Sequence, residues 1–474
     1  MFESLPGGAT PARETALACV RAGIAAAHPD RVVADGVDLD GDRLRVGDAT
    51  YDLGAYDEVV VVGGGKAAGA VATALERVLG ERIAAGAVVT IDPDEGADDG
   101  GAATGDAAAD DPATGEAPPD APERIERHYG SHPVPDERGV AGAERVRELV
   151  EAAGERTLVL AVVTGGGSAL LPAPADEVGL ADLRATTDRL LAAGADIDEI
   201  NAVRAHLSAL KGGGLADAAT PATVVGLVLS DVVGDDLAVV ASGPTAPDPS
   251  TFADALAVLD RYGVDAPDAV RRRLERGAAG EIPETPGPDD PAFDRVENRM
   301  LGTAYTALDA ARAVARERGY DTCLLSSRVR GEASEAARTH AAVALESAAT
   351  GDPVAPPAVV LAGGECTVTV TGDGEGGPNL EFALSAALDL SDAEAGERVA
   401  LAAVDTDGHD GGTTAAGGLV DGTTVTDPEA ARAALDRNDA LAALEADDAV
   451  LYTGATGTNV NDLRVAVVEA DDGA

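Results

Sequence analysis

Four consecutive valines, Val59 to Val62, run into Gly63, Gly64, Gly65 and Lys66, and an alanine-rich stretch follows to Glu76. A short β-branched run of this kind predicts a buried strand, the glycines a tight turn, and the alanines a helix. The cadence returns at residues 158–163, where Gly165, Gly166, Gly167 and Ser168 follow the apolar run, and at 224–229, which ends in Ser230 and Asp231. Helical spacing over 15–27, 142–152, 180–193 and 198–215 supplies intervening helices, and alternation over 36–53 predicts a hairpin. On a single helix over 198–215, Arg204, Ser208 and Lys211 share one face. The second half repeats the pattern: helices at 302–318 and 332–348, and strands at 322–325, 358–362 and 366–370. A helix from 381, an apolar run with the acidic tip DTDGHD and a closing strand RVAVVE follow.

Strand, polar or glycine tip, then helix, repeated in both halves, is the pattern of α/β proteins with parallel sheets. The expectation is two Rossmann-like α/β domains with largely parallel sheets and an inter-domain cleft. The proposed domains are 1–285 and 290–474, meeting in the Pro-, Asp- and Gly-rich stretch at 281–291. An acidic low-complexity insertion, about 92–122, reads as a disordered surface loop without chemistry.

In parallel sheets the strand tips converge on one edge, where ligands bind. Lys66 is unexpected there, because a cation in the first turn of a helix opposes the helix dipole. A bound anion reverses that sign, since backbone N–H groups and an ammonium then act together. GGGK is neither the phosphate loop G-x-x-x-x-G-K-[ST] nor the full dinucleotide fingerprint. Glycines and hydroxyls at the tips cradle a phosphate, carboxylates hold a divalent metal, and cations neutralise a transferred group. Asp231 and Asp235 are candidate magnesium ligands, with helix capping as their ordinary alternative. Arg204 can grip a carboxylate through two parallel N–H bonds, against the alternative of an exposed helix ion pair. Ser168 lacks the G-x-S-x-G context of a nucleophile, which leaves substrate hydrogen bonding or helix capping. His132 and His409 read as solvated loop histidines.

Composition narrows the classes. The chain of 474 residues carries 35 Lys plus Arg against 84 Asp plus Glu, a net charge of −49. That balance argues against nucleic acid and against anionic membranes. It suits a surface exposed to molar salt, where self-repulsion is screened within about 3 Å, and so a halophilic source. Three scattered cysteines, no signal pattern and no long apolar run point to a cytoplasmic protein. Oligomeric state is open, with homo-oligomerisation allowed.

In order along the chain stand SHPVPDE, TGGGSALL, INAVRAHLSALKGGGLA, LSDVVGDDLAVVASGPTAPDPSTF, GPNLEFAL, DTDGHDG and TGTNVNDL. Together they resemble the class II glycerate kinases, the glycerate 2-kinase family that ends in a MOFRL domain. The resemblance implies ATP- and Mg2+-dependent phosphorylation of D-glycerate at its 2-hydroxyl. The family's functional lysine falls on Lys66; Arg204 and Asp231 are the other candidate catalytic residues. Gly64, Gly65, Gly166, Gly167, Ser168, Lys211, Ser230, Glu365, Asn379, Asp407, Thr456 and Asn459 are expected to bind substrate or nucleotide. Pro378 stands where the family often carries an arginine, which leaves Arg204 or Lys211 to supply that charge. Gly412 and Thr414 depart from the usual TDGxDGPTDAAG, leaving Asp405, Asp407 and Asp410. The rival readings are an NAD(P)-dependent hydroxypyruvate reductase and a non-catalytic nucleotide-binding protein.

Overall fold

The computed structural model describes residues 6–92 and 124–471, so all of the acidic insertion except Asp92 lies outside the described residues. The chain separates into two compact units, one of residues 32–301 and one combining 1–31 with 302–474.

The unit of residues 32–301 begins with a small antiparallel sheet of β1 (Val37–Asp40), β2 (Arg43–Val46) and β3 (Ala49–Asp52). Its main sheet is built from β4 (Glu58–Gly64), β5 (Ile83–Ile91), β6 (Glu126–Gly130), β7 (Thr157–Thr164), β8 (Thr223–Leu229) and β9 (Val296–Gly302), in the order β6-β5-β4-β7-β8-β9. The pairs β5/β6, β4/β5, β4/β7 and β7/β8 are all parallel. Both faces are covered, which is why these strands read as unbroken apolar runs. Val59 and Val61 enter one core with the helix Ala68–Leu79. Val60 and Val62 enter the other with the helix Glu137–Glu151. A separate helical cluster, Leu180–Ala192, Ile197–His206, Phe252–Arg261 and Asp268–Ala278, has its own core around Leu190, Val203, Phe252 and Leu274.

The other unit holds β10 (Asp321–Val329), β11 (Ala358–Gly364), β12 (Val399–Asp405), β13 (Gly417–Asp421), β14 (Val450–Leu451) and β15 (Asp462–Val468), in the order β10-β11-β15-β12-β13-β14. Here the expectation of a largely parallel sheet fails. Only β10/β11 is parallel; β15 runs antiparallel between β11 and β12, and β12/β13 and β13/β14 are antiparallel. The last strand enters the middle of the sheet without a crossover helix to reverse its direction, and β13 returns directly from β12.

Three further expectations change. The helix Pro11–Ala27 belongs with residues 302–474, so the division at 285–290 does not describe the units. Its small residues allow close approach: a Cβ on Gly23 would lie 2.5 Å from Leu463 Cδ2 and 3.0 Å from the Ala307 carbonyl oxygen. Ala16, Cys19, Val20 and Ile24 share a core with Leu308, Ala311 and Val465. Second, residues 366–370 form no strand beyond an isolated bridge from Thr367 to Glu332, and the Glu332 carboxylate bonds Thr369 instead. Third, the helix expected over 198–215 ends at His206, and the chain resumes helix at Gly214–Ala218.

Candidate active site

The C-terminal tips of β4, β7 and β8 lie side by side at one edge of the parallel sheet. The turn after β4 is held against the turn after β7: the Lys66 N–H donates to the Gly165 carbonyl at 2.8 Å, and the Ala67 N–H to Thr164 Oγ1 at 3.3 Å. Glycine is required on both sides. Gly65 has φ +136°, and a Cβ there would lie 2.2 Å from Thr164 Oγ1. A Cβ on Gly165 would lie 1.9 Å from an Asp231 carboxylate oxygen. Bare glycine backbone thus lets the β8 carboxylate lie directly on the β7 turn.

Beside these tips is a cavity of about 350 Å³, in the range of small-molecule sites. Gly166, Ser168, Asn201, Arg204, Ser208, Lys211, Asp231 and His132 line it, together with Arg184, Asp188 and apolar side chains. Arg204, Ser208 and Lys211 reach it although they do not share a helix. Arg204 lies on Ile197–His206, whereas Ser208 pairs with Pro174 in an isolated bridge and Lys211 follows in the loop. The Ser208 hydroxyl accepts from the N–H groups of Leu210 and Lys211, which fixes that loop.

The electrostatics of the cavity are lopsided. Lys211 is 5 % exposed, and its ammonium donates to the Leu171 carbonyl at 2.7 Å. Burial, reinforced by the Arg204 charge, pushes its pKa down to about 7. Burial also holds Arg204 below its ordinary value. Among the described residues neither cation has a carboxylate within 4.0 Å. A buried lysine beside a half-buried arginine, neither with a carboxylate at ion-pairing distance, favours an anionic ligand, whose binding would hold the Lys211 ammonium protonated. His132 lines the cavity while remaining exposed, and partial desolvation together with the Lys66 charge lowers its pKa to about 4.

The strand tips of the other unit are acidic. Asp410 caps the helix Pro378–Ser391, accepting the N–H groups of Asn379 at 2.9 Å and Leu380 at 2.7 Å. Asn379 Nδ2 donates to Asp462 at 2.7 Å and to Asp410 at 3.2 Å, and Asp462 pairs with the buried Arg464. Burial raises the pKa of Asp405, Asp410 and Asp462, that of Asp410 to about 7. Asp407 is tied to the same loops, accepting from His409 N–H at 2.9 Å and from Asn459 Nδ2 at 3.4 Å.

Residues 15–275 match the family described as a domain of unknown function (DUF4147), and residues 358–462 match the MOFRL family. A D-glycerate 2-kinase of Thermotoga maritima is 38% identical, with 96% of this chain and 98% of the relative covered. A glycerate 2-kinase of Pyrococcus horikoshii is 37% identical, covering 97% and 98%. The crystal structure of a Thermotoga maritima glycerate kinase superposes with a TM-score of 0.79 at 37% identity, covering 96% of this chain and 99% of that one. The chain belongs to the glycerate 2-kinase family.

For this family member, the cavity gathers Gly166, Ser168, Arg204, Lys211 and Asp231. Lys66, Gly64, Gly65 and Gly167 sit immediately behind its wall. A Cβ on Gly166 would meet Lys66 Cγ at 2.9 Å and His132 Cδ2 at 3.2 Å, and one on Gly167 would meet the Ala241 Cβ at 2.6 Å. Ser230 and Asp235 do not line the cavity. The Ser230 hydroxyl is used locally, accepting from Val232 N–H at 3.2 Å, and Asp235 occupies a left-handed turn with φ 59°. In the other unit Asn379 is buried as a structural link, and Glu365 is exposed. Thr456 bonds the Thr406 carbonyl at 2.6 Å, and Asn459 bonds Asp407.

Two cavity neighbours, Asn201 and Ser242, had no sequence argument, and His132, read from sequence as a solvated loop histidine, lines the cavity. A compositional signal does exist for the lysines. The chain has two, Lys66 and Lys211, and every other basic side chain apart from its histidines is arginine. Where lysine has been eliminated from the surface, the two that remain stand at one site.

Proposed function

We propose that this chain transfers the γ-phosphoryl group of ATP to D-glycerate, at the 2-hydroxyl. The observation that carries the reading is the pair of cations without an ion-pair partner, the half-buried Arg204 and the buried Lys211, in a cavity at the tips of the parallel sheet of a glycerate 2-kinase family member. Arg204 offers a fork to the glycerate carboxylate, and Lys211 adds a second positive group. Asp231, in the same cavity, orients the acceptor hydroxyl and takes its proton. The hydroxyl oxygen forms a bond to the γ-phosphorus, the bond to the β-bridging oxygen breaks, and ADP leaves. Lys66 neutralises charge on the transferred group, and the backbone of the Gly166–Gly167 turn is offered to the phosphates.

Among the described residues no group of three or more His, Cys, Asp or Glu is arranged to hold a metal by itself. Magnesium carried on ATP needs only one or two carboxylates besides phosphate oxygens, and Asp231 fits that demand. Bound there, the ion would neutralise phosphate charge. No helix among the described residues is long and apolar enough to cross a membrane. A cytoplasmic enzyme working in concentrated salt accords with the charge of −49.

The test is ADP release by the purified chain in molar KCl. Release dependent on D-glycerate, with 2-phosphoglycerate identified by phosphorus NMR, supports the reading. NADH oxidation with hydroxypyruvate and no ADP release would replace it with a reductase.

A further inference from the structure

Ser168 faces the cavity, but the polarity of its hydroxyl is decided deeper in the protein. Ser168 Oγ lies 2.7 Å from Ser242 Oγ, and Ser242 Oγ donates to Asn201 Oδ1 at 2.9 Å. An amide oxygen only accepts, and a serine hydroxyl has a single proton. Ser242 therefore spends its proton on Asn201 and can only accept from Ser168. The Ser168 proton points away from the cavity, and its lone pairs are what a ligand meets.

The backbone holding this chain of bonds is unusual. Ala241 and Ser242 have φ of 53° and 61°, a left-handed region that residues other than glycine rarely adopt. Strain of this kind collects at functional sites, where the surrounding structure enforces it. Ala241 packs on Gly167 in the turn that carries Ser168, so the strained segment and the glycine turn are seated together. Ser242 is 2 % exposed and does not line the cavity. Its influence on a ligand passes through Ser168 and Asn201, both of which do.

We propose that Ser242 is a positioning residue that makes Ser168 an acceptor-only group, and that Ser168 thereby selects the glycerate hydroxyl that is not phosphorylated. The proposal rests on the glycerate kinase reading. A neutral hydroxyl with its proton committed is a far weaker base than the Asp231 carboxylate, so the reacting proton goes to Asp231. Ser168 is left for the second hydroxyl, which must donate to it. A site built to bond a substrate hydroxyl rejects analogues lacking that donor, because its own polar group is left unpaired.

The experiment compares D-glycerate with two acceptors, D-lactate, which lacks the 3-hydroxyl, and 3-fluorolactate, whose fluorine cannot donate. In the wild type both analogues should lose at least about tenfold in kcat/KM relative to D-glycerate. In Ser242→Ala the Ser168 hydroxyl is free to rotate. D-Glycerate should then lose about tenfold, mainly through KM, while the analogues change little, so that the selectivity ratio collapses. Ser242→Gly removes the same hydroxyl while relieving the positive φ, and should show the same collapse if the alanine variant folds poorly. An equal loss on all three acceptors in a folded variant would mean a merely structural role and overturn the proposal alone. So would 3-fluorolactate matching D-glycerate in the wild type. A wild type that does not turn over D-glycerate would overturn the kinase reading and this proposal with it.

Discussion

The strand tips of the two units bury charge of opposite sign, and they resolve the cost in different ways. Beside β4, β7 and β8 the groups are the half-buried Arg204 and the buried Lys211, with no carboxylate within ion-pairing distance among the described residues. Beside β12 and β15 they are Asp405, Asp410 and Asp462, of which Asp410 and Asp462 are compensated in place. A helix N-terminus serves Asp410, Asn379 bridges Asp410 and Asp462, and Arg464 pairs with Asp462. Desolvation drives both sets toward neutrality, lowering the Lys211 pKa and raising that of Asp410 until both lie at about 7. The difference separates a ligand site from a structural network. The acidic set satisfies itself, whereas the basic set is left short of an anion that only a ligand supplies.

The largest effect should come from breaking the self-sufficient side. Arg464 is 1 % exposed, pairs with Asp462 and stacks 4.6 Å from the Phe382 ring. Arg464→Met leaves a buried carboxylate alone, and should cost about 3–5 kcal/mol in denaturant unfolding. A loss below about 1 kcal/mol would show that the acidic network is not held by that pair.

On the ligand side, Lys66→Met should lower kcat by about 10²–10³-fold with little change in stability, measured by ADP release and thermal unfolding. Arg204→Ala should reduce kcat/KM for glycerate by a similar factor, chiefly through KM. Arg204→Lys should recover little of it, because an ammonium cannot reproduce the fork.

A smaller effect follows from Lys211. Its depressed pKa means that the free enzyme loses this positive charge as pH rises through about 7. Anion binding favours the protonated form, so KM for glycerate should rise above that pH, by up to about tenfold per unit, and level off above the pKa of the complex. A flat KM between pH 6 and 9 would remove Lys211 from the carboxylate site.

The smallest concerns Asp410, whose folded pKa of about 7 lies above the ordinary carboxylate value. The folded state binds the proton more tightly, so this group's contribution to stability is full below about pH 4 and is lost as pH rises through about 7. Relative to Asp410→Asn, wild-type stability should therefore fall between pH 4 and 8, by about 1 kcal/mol or more. The comparison cancels the general charge repulsion that both proteins share.

Much of the site was legible because its signals are local. The GGGK and TGGGS turns were recognisable as strand tips, and the dipole conflict singled out Lys66 before any fold was known. Arg204 and Lys211 were linked by an argument that fails in detail, since the helix between them ends at His206. They meet because the Ser208 loop folds back against Pro174. Ser230 and Asp235 looked equivalent to Asp231, yet only Asp231 lines the cavity. Ser242 gave no signal, because its role depends on hydrogen bonds to residues 74 and 41 positions away.

The sequence by itself determined the α/β class, the buried strands at residues 59–62, 158–163 and 224–229, the glycine turns and the excess of acid, all of which follow from near-neighbour chemistry. Only the tertiary structure decided that the first helix joins the C-terminal half, that β15 enters its sheet antiparallel, and which buried charges find partners. Periodicity records whether a side chain is buried. Which side chain it is buried against depends on contacts between distant segments, and those contacts distinguish an anion site from a capped helix.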